Sequence, residues 1–414
     1  MTTATLNRPA PPATNATTAP VVTGIGVMAP NGLGTEAWWA ATLRGECGIR
    51  PLTRFDAGRY PVRIAGEVPG FVDADHLPGR LLPQTDRVTR LSLAAAKEAL
   101  DDAGTDPAAL PDYAAGVVTA SSAGGFELGQ RELQALWSKG GQYVSAYQSF
   151  AWFYAVNTGQ ISIRHQLRGS SGVVVAEQAG GLDALAHARR QIRKGTPLMV
   201  TGAVDSALCP WGWAAHLAAG HLSTATDPAR AYLPFDEGAR GHVVGEGGAL
   251  FVLEHAPAAH ARGARVYGAL TGCAATFDGP GTPRLADAAR LALADARVRA
   301  DEIGVVFADA AADRAADRAE AGAIAALFGP RAVPVSAPKS MTGRLLAGGA
   351  PLDVAAALLT LRDQVIPPTT GTVRPAADCP LDLVTAPRET PVRHALVLAR
   401  GRGGFNSAAV LSAA

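Results

Sequence analysis

Apolar and polar positions alternate along the chain in two recognisable rhythms. After residue 20 the run VVTGIG at 21–26 has the density of a buried strand. AAKEALDDA at 95–103 follows the 3.6-residue period of a helix and, after a loop, precedes the strand-like GVVTA at 116–120. The same order recurs: AARLALADA at 288–296, a loop, then GVVFADA at 304–310. The helical copies begin 193 residues apart and the strand copies 188, so the spacing is nearly kept. A second pair extends the repeat. VVVAEQAGGLDALAHA at 173–188 reads strand, turn, helix, and VPVSAPKSMTGRLLAGGAPLDVAAAL at 333–358 reads strand, longer loop, helix. Each is followed by another apolar strand, at 198–207 and 395–408. Strands alternating with helices predict a largely parallel, helix-covered sheet in each half of a duplicated α/β unit. No Pro/Gly/Ser-rich connector parts the halves near 255–265, so the expectation is one compact unit divided at 21–258 and 259–414. Residues 1–20, rich in Thr, Ala and Pro without an apolar core, read as a disordered tail rather than a signal peptide.

Composition narrows the function classes. With 414 residues, 48% hydrophobic and 18% charged, the chain has material for a large core. Thirty-seven basic against 36 acidic residues argue against a nucleic-acid or membrane footprint, and no apolar run reaches spanning length. Cys47, Cys209, Cys273 and Cys379 form no CxxC pair, so neither a disulfide framework nor a zinc site is expected. The expectation is a soluble, cytoplasmic protein. GIGVMA at 24–29 fits the dinucleotide pattern GxGxxA, but Pro30, Asn31, Gly32 and Gly34 follow where the phosphate-binding helix should start.

The strand-to-helix junction around 173–185 is the place for chemistry. Such an elbow exposes a side chain at the strand tip while the helix N-terminus aims its amides at the same spot. Glu177, Gln178 and Ala179 occupy it, with Gly180 and Gly181 behind. Gln178 has no nucleophilic atom; its amide donates and accepts hydrogen bonds, and on spacing alone it reads as an ordinary polar residue opening a helix. None of the cysteines sits at such a junction.

The strings YQSFAWFYAVNTGQISIRH at 147–165, VVVAEQAGGLDALAHARR at 173–190, DPARAYLPFDEGARGHVVGEGGALFVLE at 227–254 and ARGRGGFNSAAVL at 399–411 resemble the ketosynthase-beta subunit, or chain-length factor, of bacterial type II polyketide synthases, within the beta-ketoacyl synthase family. The resemblance implies a thiolase-like fold: two pseudo-repeated halves in a five-layer αβαβα sandwich. Condensing relatives place a Cys at the elbow, a His in a loop resembling NAHGTGT and a second His in a segment resembling KSMVGH. Carried onto this chain, the Cys position is Gln178. Asp317, Arg318 and Glu320 anchor the match that puts Asp309 at the first His. KSMTGR at 339–344 keeps Lys339 and puts Arg344 at the second. Condensation needs a thiolate and neutral imidazoles, whereas a carboxylate repels an enolate and an arginine stays protonated. The resemblance therefore implies a subunit that does not condense, with Asp309 and Arg344 free to pair in the old site. Lys339 is one of only four lysines, and reads equally as a structural ammonium or a retained charge beneath that site. Arg402 in GRGG at 401–404 stands where the condensing pattern has Phe, which puts an intact gating loop in doubt.

The resemblance also implies partners: a ketosynthase-alpha subunit across a pseudo-twofold interface, and an acyl carrier protein whose phosphopantetheine arm delivers substrate, with no cofactor held by the chain itself. It places tunnel-end gates at Phe126, Gly129 and Leu133, which fall on one face of a helix predicted in GGFELGQREL at 124–133. Spacing alone makes that face core. Gly129 and Leu133 are smaller than in relatives making shorter chains, which implies a product beyond the octaketide class. Trp211 and Trp213 either border the tunnel or are plain interface or core aromatics. RRQIRK at 189–194 (Arg189, Arg190, Arg193, Lys194) reads first as a solvated helix C-terminus and second as a docking site for the acidic carrier protein. A rival reading makes the chain a malonyl-carrier-protein decarboxylase that primes synthesis using Gln178.

Overall fold

The computed structural model describes residues 19–414. Most of the expectation for residues 1–20 thus lies outside the described residues, while Ala19 is buried and the Pro20 carbonyl accepts from Leu270 N. Ten strands carry the core: β1 (Val21–Ala29), β2 (Ala115–Ala120), β3 (Ser171–Val174), β4 (Leu198–Asp205), β5 (Gly247–Glu254), β6 (Gly268–Phe277), β7 (Ile303–Phe307), β8 (Pro334–Ser336), β9 (His394–Gly401) and β10 (Phe405–Ser412). They run side by side in the order β8-β7-β9-β10-β6-β1-β5-β4-β2-β3. The order is palindromic about the β6–β1 junction, where Val21 and Val22 pair with Ala269 and Gly268. In each half four strands point one way, and only β5, or its counterpart β10, runs against its neighbours. One apolar stretch was misread. Residues 395–408 are not a single strand but the hairpin β9–β10, turned at Arg402–Gly404 with Gly403 and Gly404 at positive φ.

Seven helices matter for the site: α1 (Arg87–Asp102), α2 (Phe126–Lys139), α3 (Glu177–Arg193), α4 (Pro210–Ala218), α5 (Leu285–Ala296), α6 (Arg314–Phe328) and α7 (Gly349–Asp363). Helix α1 lies on β1, β4 and β5, and α5 lies on β6 and β10. Helix α3 touches β2 and β4 on one side and β9 and β10 on the other, while α7 lies against β5 and β9. The layering is helix, sheet, helix pair, sheet, helix, the thiolase-like sandwich. Almost every residue of α7 is buried, as a helix covered on both faces must be.

The GxGxxA string has its use here. A Cβ on Gly24 or Gly26 would lie 2.0 Å from the carbonyl oxygen of Ala99 or Ala95 in α1, so these glycines let helix and strand backbones touch. Gly272 does the same in the second half, with the Ala292 carbonyl of α5 2.2 Å from its Cβ position. The duplication extends to the glycines, and the motif belongs to packing rather than to phosphate.

Candidate functional site

Strand β3 ends at Val174, and the chain turns through Ala176 and Glu177 into α3, with Glu177 in the left-handed region at φ 49°. A non-glycine residue there is strained, as is usual at an elbow that must aim the next side chain inward. That side chain is Gln178, fully buried at 0% exposure. Its Nε2 donates to Asp309 Oδ1 at 2.8 Å. Its Oε1 is buried without a partner beside Gly349, whose Cβ would come within 2.8 Å of it. Gly181, one turn on, meets Pro351 and the Ala347 carbonyl, so the helix pair closes tightly behind the elbow.

Asp309 follows β7 and is held from both directions. Its own N–H and that of Ala310 donate to the Glu320 carboxylate of α6 at 2.7 and 2.9 Å. Its carboxylate takes Arg344 in a two-point contact, Nη1 to Oδ2 at 3.1 Å and Nη2 to Oδ1 at 3.2 Å, and Arg400 N–H donates to Oδ1 at 3.0 Å. Arg344 also donates to the main-chain carbonyls of Asp309 and Arg400. Both ends of this ion pair are buried. Burial would raise the Asp309 carboxyl, but the Arg344 guanidinium, helped by Lys339, outweighs it and holds the group below the usual carboxylate range. Glu320 makes no ion pair among the described residues, and the nearby Arg400 charge only partly offsets its burial. Burial and the Asp309 charge push it up to about 7. Lys339 is buried beneath the site, 2.6 Å from Asp353 and donating to the Ala308 carbonyl. Gln178, Asp309 and Arg344, 131 and 35 residues apart, thus form one closed hydrogen-bonded cluster with no thiol and no imidazole.

Two cavities flank the elbow. One of about 280 Å³ is bordered by Asp309, Arg344, Glu177, His221, His242 and Arg402. The other, about 250 Å³, is bordered by Ser122, Phe126, Val175, Glu177, Gly212 and His216. Gln178 lines neither. Burial and the neighbouring Arg344 hold the His242 imidazole well below its usual range. The sequence reading passed over His216, His221 and His242, for their spacing marks no motif and only the fold assembles them. Arg402, at the hairpin turn, donates its N–H to Glu177 Oε2 at 3.0 Å and ties the turn to the elbow.

Helix α2 buries Leu128, Gly129 and Glu132. On either side of Gly129, Phe126 is half-buried and Leu133 is exposed. Leu133 is 37% exposed, and the Phe126 ring stacks on Trp211 at 4.7 Å, so this stripe is not the plain core that its spacing suggested. A Cβ on Gly129 would sit 3.2 Å from the Trp211 ring and 3.7 Å from Trp152 Cβ. The two tryptophans of α4 part company. Trp211 is 42% exposed, whereas Trp213 is buried, packs on Phe55 and donates to the Val62 carbonyl as a core residue. Nearby, Tyr143, Tyr147, Phe150, Trp152, Phe153 and Tyr154 all remain exposed in the single chain. Arg189 must be withdrawn from the basic run. It is 4% exposed, bonded to Asp295 at 2.5 Å and to the Thr271 carbonyl, because α3 is covered on both sides there. Arg190, Arg193 and Lys194 do face solvent.

Comparison with known proteins agrees with this architecture. Residues 19–259 match the family model "Beta-ketoacyl synthase, N-terminal domain" and residues 267–372 match "Beta-ketoacyl synthase, C-terminal domain". The tetracenomycin polyketide synthase ketoacyl synthase beta subunit of Streptomyces glaucescens is 60% identical over 94% of this chain and 97% of its own. Among solved structures, the ishigamide ketosynthase/chain length factor superposes with a TM-score of 0.86 at 28% identity, over 96% of this chain and 99% of that one. The AntDE ketosynthase, bound to the hexaketide and in complex with its type II polyketide synthase acyl-carrier protein AntF, gives 0.86 at 26% identity, over 96% and 100%. No helix among the described residues is long and apolar enough to cross a membrane. A sandwich duplicated down to its packing glycines, built around a strand-to-helix elbow and matched along both halves, makes this chain a member of the beta-ketoacyl synthase family.

Proposed function

We propose that the chain is the non-condensing beta subunit of a type II polyketide synthase, paired in the cytoplasm with a condensing alpha subunit and setting the length of the poly-β-ketone in a tunnel at their interface. The observation that carries this reading is the closed cluster. The three positions where condensing relatives hold Cys, His and His are here an amide, a carboxylate and a guanidinium, buried and bonded to one another. Such a set has no nucleophile to carry an acyl chain and no neutral imidazole to share an enolate's charge. The strong likeness to a ketoacyl synthase beta subunit supports the same reading, as do the solved ketosynthase/chain length factor and the carrier-protein complex. Substrates would arrive on the phosphopantetheine arm of the carrier protein, with Arg190, Arg193 and Lys194 as candidate contacts.

Phe126, Gly129 and Leu133 are the proposed ruler, with Trp211 stacked on Phe126 and close to Gly129. The small Gly129 favours a chain longer than the octaketide class. The test reconstitutes this chain with its alpha subunit, carrier protein and malonyl donor, and compares products by mass spectrometry. Gly129→Phe should shorten the product, and an unchanged length would refute the ruler. The priming-decarboxylase reading loses ground because Gln178 borders neither cavity and its N–H already serves Asp309. With the partner's nucleophilic cysteine blocked, malonyl-carrier protein should yield acetyl-carrier protein no faster with wild type than with Gln178→Ala.

A further inference from the structure

We propose that Gln148 is a specificity-determining contact for the poly-β-ketone, an inference that rests on the tunnel reading above. Gln148 opens the short helix Gln148–Ala151, which lies over α2. Its place is fixed from both ends. Upstream, the buried Glu132 carboxylate of α2 accepts from Ser145 N–H at 2.7 Å. Downstream, Gly125 N–H donates to the Trp152 carbonyl at 3.2 Å, and a Cβ on Gly124 or Gly125 would strike the backbone carbonyl of Trp152 or Ala151 at 2.4 or 2.0 Å. Between these anchors the Gln148 side chain sits beside the ruler, Nε2 3.9 Å from the Cβ position of Gly129. Its Oε1 is buried with no hydrogen-bond partner.

A buried amide oxygen without a partner costs free energy, and an apolar residue of the same length would avoid that cost. The other groups closest to the Gly129 Cβ position belong to aromatic residues, Trp211 and Trp152, with Phe126 stacked on Trp211. A poly-β-ketone carries a carbonyl on every second carbon and exchanges between keto and enol forms. Its flat segments suit aromatic walls. One amide serves both tautomers, with N–H donating to a ketone oxygen and C=O accepting from an enol O–H. A saturated acyl chain would gain nothing from Gln148.

The test uses the full heterodimer with carrier protein and malonyl donor. Gln148→Met keeps the length and removes both hydrogen-bonding groups. One lost hydrogen bond corresponds to about a two- to tenfold change, so the ratio of full-length to shorter or misfolded-chain products should fall by that factor. Gln148→Asn, which retains the amide one methylene further back, should fall between. Heterodimer affinity, read by analytical ultracentrifugation, should stay within about twofold. An unchanged product ratio in Gln148→Met overturns the proposal. So does weakened pairing, since the amide would then be bonded to the partner subunit. Gly129→Phe run in parallel separates the two levels: if it shortens the product while Gln148→Met does nothing, the ruler stands and Gln148 falls, and if it too does nothing, both fall.

Discussion

At the scale of single residues the cluster is a pair of charges kept only because each has the other. Removing one leaves an unpaired ion in the interior, which costs about 3–5 kcal/mol, whereas replacing both by apolar groups is often near neutral. Asp309→Ala should therefore be strongly destabilising, and Asp309→Ala with Arg344→Met much less so. Denaturant unfolding of the single and double variants measures the difference, and strict additivity would contradict the coupling. Glu320 gives a pH signature of opposite sense to that of a salt-bridged acid. Its folded value, about 7, lies above the ordinary 4.5, so the native state holds a proton that the unfolded chain has released. Its contribution to stability is present at acidic pH, declines as pH rises between those values, and is gone above about 7. Glu320→Gln should flatten that slope, as unfolding free energies at pH 5, 6, 7 and 8 would reveal. Sequence alone could place Gln178, Asp309 and Arg344 at equivalent positions, because each lies in a contiguous string. It could not reveal that Arg189 is buried, since its partner Asp295 lies 106 residues away on another element.

Among elements, the strand–helix repeat was legible because each copy shows its own period, and the glycine contacts explain why the copies keep Gly where a strand would rather have a side chain. The hairpin β9–β10 was not separated, for both arms are equally apolar and only GRGG marks the turn. Helix α2 was legible as a helix, but the graded burial of Phe126, Gly129 and Leu133 was not, because periodicity shows that residues share a face and not what that face meets. Gly129 can be tested here on its own terms. Alanine in a helix interior is favoured over glycine by about 1 kcal/mol. The contact a Cβ would make, 3.2 Å to Trp211, is with the ring of a 42% exposed side chain that has room to move. Gly129→Ala should then raise the melting temperature, while a fall would mean that Trp211 is held rigidly over α2.

For the whole molecule, the two ends of the sheet are built differently. In the second half β8 is followed by one more two-residue strand, Asp382–Leu383, whereas in the first half β3 is itself the last strand and pairs only with β2 among the described residues, on a molecule that also exposes Tyr143, Tyr147, Phe150 and Trp152. A bare edge strand is a template for another chain, and exposed aromatics mark such contact surfaces. Amide hydrogen exchange at 171–174 should slow markedly when the alpha subunit binds; unchanged exchange would place the partner elsewhere. The buried cluster, meanwhile, joins Gln178 of the first half to Asp309 and Arg344 of the second, so no one of the three can be exchanged without regard to the others. A cysteine restored at 178 would lie in a fully buried position against a carboxylate, where the thiolate is disfavoured. A histidine restored at 309 alone would strand the guanidinium. A histidine placed at 344 alone would likewise strand the Asp309 carboxylate, so a condensing triad could be rebuilt here only by changing both members of the pair together.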